Sequence, residues 1–326
     1  HKYKSIKFRK MKKGILMLSL AAGISLMAAC KKDKSEDLLD EQTTQQVTAD
    51  DDARIAASDN EELDDANRII AMHPRLRGIN FMGIYNGLVV PCNTTIDTSL
   101  ISQGKVTVTF NGLNCNGTRN RTGTMIIQLP YDANTSTVTP WSTAGSQLTL
   151  TLNNVEITNV SSGKSITINS TRTITNVNGG LIDNSPNFTT PILHHATGNT
   201  MVTFDDGTTR SWNFDRNRLV ERTNNVTTIT ITGNASQGGY SNVSVWGVNR
   251  AGNTFFVSTD TPIILSSDCN YNPMSGVRVH HGVVRELTVT FGVDQQGNAQ
   301  TSGCPYGYKL NWTSANGQTH QIVRSY

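Results

Sequence analysis

The stretch "SITINSTRTITNV" (165–177) decides the fold class of this chain of 326 residues. Apolar and polar side chains alternate along it with a period of two, as in a strand with one buried face and one Thr-rich outer face. From about residue 84, similar short runs alternate with turns rich in Gly, Asn and Asp. The clearest are "KVTVTF" (105–110), "TMIIQL" (124–129), "QLTLTL" (147–152), "NTMVTF" (199–204), "VTTITITG" (226–233), "NVSVWGV" (242–248), "NTFFVS" (253–258) and "ELTVTF" (286–291).

No long helical pattern interrupts these runs, which argues against a parallel sheet built from βαβ units. The chain is therefore predicted to be all-β, with an antiparallel β-sandwich over residues 75–326, either one large sandwich or two packed side by side. Within it, Asp206-Gly207 favours a tight hairpin turn, because Gly readily adopts a positive φ. The pair Asp205-Asp206 is interpreted as turn chemistry and not as a calcium or catalytic site, since no further acids follow at calcium-loop spacing.

One short helix is predicted before the β region, over residues 58–73. Ser58 and Glu61 have the spacing of a capping box, and Pro74 ends the pattern. Apolar side chains then recur at helical spacing, which is typical of a packing face. They are Leu63, Ala66, Ile69 and Ile70.

The first 29 residues have the pattern of an export signal. Lys12-Lys13 precede the uncharged run Ile15–Ala29, which is shorter than the roughly 20 apolar residues of a membrane span. Small residues then lead to Cys30, an arrangement that resembles the lipobox of bacterial lipoproteins, with Met27 where Leu is usual. The resemblance implies cleavage before Cys30 and attachment of lipid to its thiol. The alternative is a signal peptide with an incidental Cys; residues 1–10 precede Met11, which has the position of a natural start.

Residues 30–57 are predicted to be the lipidated Cys30 followed by a flexible acidic tether. The stretch 31–52 is polar and lacks apolar periodicity. Two or more acyl chains anchor a protein stably, so the membrane is the expected partner through the lipid. Without residues 1–30 the chain has 21 Lys or Arg against 25 acids. That mildly acidic balance argues against a nucleic-acid partner.

The four remaining cysteines are predicted to form disulfides. An exported chain with an even number of Cys commonly pairs them, and four Cys allow three connectivities. Both "CN…KVTVTFNGLNC" and "CN…ELTVTFGVDQQGNAQTSGC" place a similar strand between two Cys, which favours Cys92–Cys115 and Cys269–Cys304. Four free buried thiols are the alternative, and the spacings lack the CxxC pairs of a zinc site.

No catalytic, cofactor-binding or metal-binding residue is predicted. His194-His195 and His280-His281 are adjacent pairs, but neighbours on a strand point to opposite faces, so each pair offers one imidazole per face. The chain has no G-x-S-x-G elbow, P-loop or dinucleotide fingerprint, and no two acids stand out as a glycosidase pair. Most of its Trp residues are expected in the core, although some could stack on sugars. They are Trp141, Trp212, Trp246 and Trp312.

Several motifs, in order over about residues 75–310, resemble a family of β-rich lipoproteins from Bacteroidota without an assigned activity. They include "VTVTFNGLNCNGTRNRTG" (106–123), "TRTITN" (171–176), "GNTMVTFDDGTTRSW" (198–212), "ITGNAS" (231–236), "PIILSSDC" (262–269) and "PMSG" (273–276). The chain departs from that pattern at Asn111 and Asn114. The resemblance implies an exported, anchored β-protein and supplies no catalytic residues.

The acids Asp33, Glu36 and Asp37 soon after Cys30 favour an outer-membrane lipoprotein displayed at the cell surface over one facing the periplasm. The leading hypothesis is a lipid-anchored, non-enzymatic envelope protein that binds a glycan or a surface protein. The alternative is an envelope hydrolase acting on polysaccharide or peptide, which needs acids or His residues that converge in a cleft, such as Asp205, Asp215 or His280. A purely structural envelope component is a third possibility.

Overall fold

A computed structural model describes residues 34–78, 90–182, 186–269, 271–282, 286–314 and 316–326. The predicted leader and Cys30 lie outside the described residues. Two α-helices come first, α1 (Lys34–Met72) and α2 (Pro74–Arg77). The rest is antiparallel β-structure with two short 3-10 turns, Ile101–Gln103 and Ser267–Cys269. The predicted all-β antiparallel class is confirmed.

Seventeen strands follow the helices in the described residues. The first nine are β1 (Thr94–Asp97), β2 (Lys105–Leu113), β3 (Arg119–Gln128), β4 (Tyr131–Asp132), β5 (Thr137–Val138), β6 (Ser146–Asn159), β7 (Ser165–Asn176), β8 (Ile192–Phe204) and β9 (Thr209–Thr223). The others are β10 (Val226–Gly233), β11 (Ala235–Gln237), β12 (Tyr240–Val248), β13 (Thr254–Ser266), β14 (Pro273–His281), β15 (Leu287–Val293), β16 (Gly307–Thr313) and β17 (Thr319–Ser325). Every strand run quoted from the sequence lies within or overlaps one of them.

One continuous sheet of 15 strands contains all of these except β4 and β5, which pair with each other. Its order is β1-β2-β3-β6-β7-β8-β9-β10-β13-β14-β15-β16-β17. Strand β12 pairs with β9 and β13 beyond the end of β10, and β11 pairs with β12. The strands expected in one or two sandwiches thus belong to a single main sheet, and α1 is the layer that packs on its buried face.

The two faces of the sheet differ as the alternation predicts. On β7, Ile166, Ile168 and Ile174 are buried, whereas Thr167 and Thr173 lie on the more accessible outer face. The largest core cluster joins such strand residues to Ile55, Ala66, Ile69, Ile70 and Leu76. The apolar stripe of the helix is therefore a packing face, as its spacing predicts.

The predicted flexible tether over 30–57 is wrong for residues 34–57, which form the first part of α1. The helix has 39 residues and is about 58 Å long. Ala49 packs against Leu287, Val289 and other residues of β15 and β16, and Ile55 joins the main core. These contacts come from distant strands, so the local sequence shows no periodicity there. Ser58 is not a helix cap; its hydroxyl donates to Glu62 at 2.9 Å within the helix.

Acidic side chains of α1 pair with arginines of the buried sheet face and of the turn between β12 and β13. Asp59 Oδ1 accepts from Arg172 at 2.6 Å, and its Oδ2 accepts from Arg216 at 3.2 Å. Toward the N-terminal part of the helix, Asp51 accepts from Arg250 at 3.2 Å. Buried charges are tolerated when they are paired and hydrogen-bonded. The helix is thus held by charge pairs as well as by its apolar stripe.

Both predicted disulfides are present. The Cα atoms of Cys92 and Cys115 are 5.0 Å apart, and those of Cys269 and Cys304 are 5.4 Å apart, within the usual range for a disulfide. The first closes a loop around β1 and β2, and the second closes a loop around β14 and β15. By chain entropy each loop closure contributes about 3–4 kcal/mol.

Candidate functional site

An open groove of about 570 Å³ lies on the outer face of the main sheet, across β6, β7, β8, β9 and β12. Its lining is made of Asn, Thr and Ser side chains with a few apolar ones. The residues are Thr151, Leu152, Asn153, Asn169, Ser170, Thr171, Asn199, Thr200, Met201, Ser211, Trp212, Asn213, Gly247 and Val248.

Strand register aligns part of this lining into one row. Thr151 faces Thr171, Thr171 faces Asn199, and Asn199 faces Asn213. Asn213 in turn faces Trp246, which is half-buried at the end of the row. Five strands at about 4.8 Å spacing make the row about 19 Å long. Hydroxyl and amide groups therefore stand side by side along an extended track.

The amides of Asn153, Asn199 and Asn213 are exposed, and within the described part of the chain they make no hydrogen bond. A carboxamide offers two donors and an acceptor, so each is available to a ligand. Asn169 is different, because it donates to Asn154 Oδ1 at 3.1 Å and accepts from the Asn154 backbone N–H at 2.9 Å. Those two bonds fix its side chain at one end of the groove.

Two glycines shape this face. A Cβ on Gly123 of β3 would lie 2.2 Å from the carbonyl oxygen of Asn154, so Gly lets β3 approach the bulge in β6. A Cβ on Gly247 would lie 2.1 Å from the carbonyl oxygen of Ser211. Neither position has room for a side chain, so the paired backbones approach closely there; of the two glycines, Gly247 lines the groove.

The groove lining contains no titratable side chain. A pair of titratable side chains lies on the same face outside the groove, where His195 Nε2 is 2.7 Å from Asp215 Oδ1. Asn234 donates to the same carboxylate oxygen at 3.1 Å. Neither Asp215 nor His195 lines the groove, and within the described residues no second carboxylate is recorded in contact with them. The arrangement lacks the facing pair of acids that glycoside hydrolysis requires.

A second polar cluster has part of the layout of a catalytic triad. Ser258 Oγ is 3.2 Å from His281 Nε2, and His281 Nδ1 is 3.1 Å from Glu286 Oε2. However, Ser258 donates its hydroxyl proton to Asp260 Oδ1 at 2.7 Å. A hydroxyl has one proton, so it accepts from His281 instead of donating to it.

Ser258 is also inaccessible, with 1% of its surface exposed. The imidazole of His281 lies against Tyr240 and Phe256, with ring centroids 4.1 and 4.5 Å away. A nucleophilic serine needs a base that accepts its proton and a path for the substrate. The described contacts provide neither, so this cluster is interpreted as a hydrogen-bonded aromatic packing site.

The other residues singled out from the sequence are distributed over the fold. His194 is buried and His195 is on the outer face, as strand alternation predicts for this pair. His280 is buried. His281 is also buried, beneath Tyr240. In the described residues, no group of three or more His, Cys, Asp or Glu side chains could hold a metal ion.

The predicted turn at Asp206-Gly207 is confirmed, with Gly207 at φ +79° between β8 and β9. Hydrogen bonds from the Thr208 hydroxyl and backbone N–H hold the pKa of Asp206 below its usual value. Asp206 also pairs with Arg250, and Asp205 is exposed.

Three of the four Trp side chains are buried as predicted, and Trp246 is the more exposed one. The asparagines of the groove were not predicted as a site. Their outward positions on successive strands were a usable signal, but only the strand register shows that they are aligned.

Among the described residues, no helix has a stretch that is both long and apolar enough to cross a bilayer. Comparison with protein-family models, with curated proteins and with solved structures found no match to this chain.

Proposed function

We propose that this chain is a lipid-anchored protein of the outer membrane, displayed at the cell surface, whose β domain binds a neutral glycan in the outer groove. The exposed, unpartnered amides of Asn153, Asn199 and Asn213 in the groove are the observation that carries the proposal. Amides and hydroxyls both donate and accept, which matches the hydroxyl groups of a sugar.

The apolar part of the groove supports the same ligand class. Met201 and Val248 are exposed beside the amides, and Trp246 follows Asn213 in register. Sugars present apolar faces as well as hydroxyls, and an aromatic ring with an open face can stack on them. Because no charged side chain lines the groove, a neutral ligand fits better than an acidic polysaccharide.

A binding role is favoured over a hydrolase for the same reason. The groove has no carboxylate pair, and Ser258 directs its proton to Asp260. A surface-protein ligand is less well matched, since protein interfaces have a core of large anchors surrounded by a polar rim. The anchor itself is proposed from the sequence around Cys30.

The proposal is tested with the full-length protein in detergent on an array of neutral and acidic glycans. We expect binding to neutral glycans that falls at least tenfold in Asn199→Ala and Asn213→Ala. Asn120→Ala is the matched control, because Asn120 is an exposed asparagine of β3 outside the groove lining. Equal binding by all three variants, or binding to acidic glycans only, would contradict a neutral-glycan site in the groove.

A further inference from the structure

A small, partly open cavity of about 30 Å³ lies between α1 and the buried face of the sheet. Asp59 and Leu63 contribute to it from the helix, and Arg172, His194, Arg216 and Arg218 contribute from β7, β8 and β9. A buried site needs about 10–15 Å³ of such volume to hold one water molecule. The cavity is therefore large enough for one small ligand.

Two side chains at this cavity have nitrogens without a partner among the described residues. They are Nδ1 and Nε2 of His194 and Nε and Nη1 of Arg218. His194 is 1% exposed and Arg218 is 8% exposed. A guanidinium can only donate, so Arg218 requires acceptors in this space. Leaving buried donors unpaired is costly, and the cost is larger for a charged group.

The charges at the cavity wall leave an excess of positive charge. Both carboxylate oxygens of Asp59 are taken by Arg172 and Arg216. The carboxylate that pairs with Arg218 is that of Asp64, whose Oδ1 lies 3.8 Å from Arg218 Nη2 and whose side chain is 44% exposed. Glu62 also faces Arg172, but burial raises the pKa of Glu62 to about 7, so it is only partly charged near neutrality.

His194 adds a neutral donor to this site. Burial and the nearby charge of Arg218 lower the pKa of His194 to about 3, so its imidazole is uncharged at neutral pH. A neutral imidazole carries one N–H group. Arg218 supplies two further donor nitrogens, Nε and Nη1, and the positive charge.

We propose that this cavity is a binding site for one small monovalent anion of the halide class, such as chloride, held by Arg218 and His194. The ligand is an anion and not water because Arg218 has no close, buried carboxylate partner. A monatomic anion is favoured because a volume of about 30 Å³ leaves little room for a polyatomic one. The site lies beneath α1, so the anion would bind only when the helix is docked.

The first test is crystallographic. Crystals of the full chain grown in sodium bromide should show an anomalous peak in the cavity, within hydrogen-bond distance of Arg218. A peak of water density with no anomalous signal would overturn the proposal. This measurement uses the unmodified protein and stays decisive if a variant fails to fold.

The second test follows the thermal midpoint in sodium chloride and in sodium gluconate at equal ionic strength. A ligand that binds only the folded state stabilises it, and at 100 times the dissociation constant the midpoint of a chain of this size should rise by about 4 °C in chloride. We expect Arg218→Met to lose this rise. Arg75→Met is the control, since Arg75 is exposed and distant from the cavity lining. Equal midpoints in both salts for the unmodified protein would argue against the site.

Discussion

Arg121 of β3 donates to Asp65 of α1 at 2.7 Å, and both side chains are buried. Arg121 also lies over the ring of Phe110, 4.5 Å from its centroid, and 3.5 Å from Glu61. This pair connects the C-terminal half of α1 to the sheet. Because both side chains are buried, water has no access to hydrogen-bond either one if its partner is removed.

Arg121→Met should therefore destabilise the protein by about 3–5 kcal/mol, because it leaves the buried carboxylate of Asp65 without its partner. Replacing both partners, as Asp65→Leu with Arg121→Met, should cost much less than the sum of the two single changes. Urea unfolding of the full chain measures these differences. Asp205→Asn, at an exposed carboxylate, should stay within about 0.5 kcal/mol of the unmodified protein. Additive single and double changes would show that the pair is not coupled.

Stability should fall as pH rises from about 4.5 to 7, through the contribution of Glu62. Burial raises the pKa of Glu62 from 4.5 to about 7 in the folded state, despite the opposing charge of Arg172. The folded state then binds the proton of Glu62 more tightly than the unfolded state. The contribution of Glu62 to the free energy of unfolding is therefore largest below pH 4.5 and is lost as the pH rises through about 7. A shift of this size corresponds to about 3 kcal/mol. Burial raises the pKa of Asp65 as well, so Asp65 acts in the same direction.

Glu62→Gln separates this contribution from those of other groups. The variant keeps a carbonyl that can accept from Ser58 but does not titrate. In urea unfolding, the free energy of unfolding of the variant minus that of the unmodified protein should be larger at pH 8 than at pH 5. An equal difference at the two pH values would mean that Glu62 titrates at its ordinary pKa.

Ser258 should not react with a fluorophosphonate probe. Its proton is donated to Asp260, and the residue is buried beside the stacked ring of His281. Mass spectrometry of the full-length protein after incubation with the probe measures modification at this residue. Tyr240→Ala removes the ring that lies over His281 and so opens access to this cluster. Ser258 should remain unlabelled in this variant too. Labelling of Ser258 in either protein would favour the hydrolase alternative.

Cys30→Ala should move the protein from the membrane fraction to the soluble fraction and abolish incorporation of radiolabelled fatty acid. The expectation rests on the leader pattern, in which Cys30 carries the lipid. Ser19→Ala, within the same uncharged run, is the control and should remain anchored. Continued membrane association of Cys30→Ala would rule out lipid as the anchor.

Local patterns predict the strands and the disulfides well, because both depend on short sequence signals. The alternation around Thr167 and Ile168 identifies a strand and its two faces, and the repeated Cys-Asn motif identifies the Cys pairs. The extent of α1 was missed because Ala49 and Asp51 are held by strands and loops far along the chain.

The groove was missed for a related reason. Asn199 and Asn213 are adjacent only because β8 and β9 pair in one register, which a list of strands does not provide. The number of sheets is equally a matter of pairing: β10 pairs with both β9 and β13 and so keeps the main sheet continuous, and β12 takes the same position beyond the end of β10.

The charge pairs of α1 also bear on the order of folding. Asp59 and Arg172 are separated by 113 residues, and Asp51 and Arg250 by 199. Contacts between such distant parts of a chain close slowly, and synthesis delivers the N-terminal residues first. The residues of α1 are therefore synthesised early, and their charge pairs with Arg172 and Arg250 form late. Until then the acids of α1 lack these arginine partners, so the charge pairs stabilise the docked helix only at a late stage of folding.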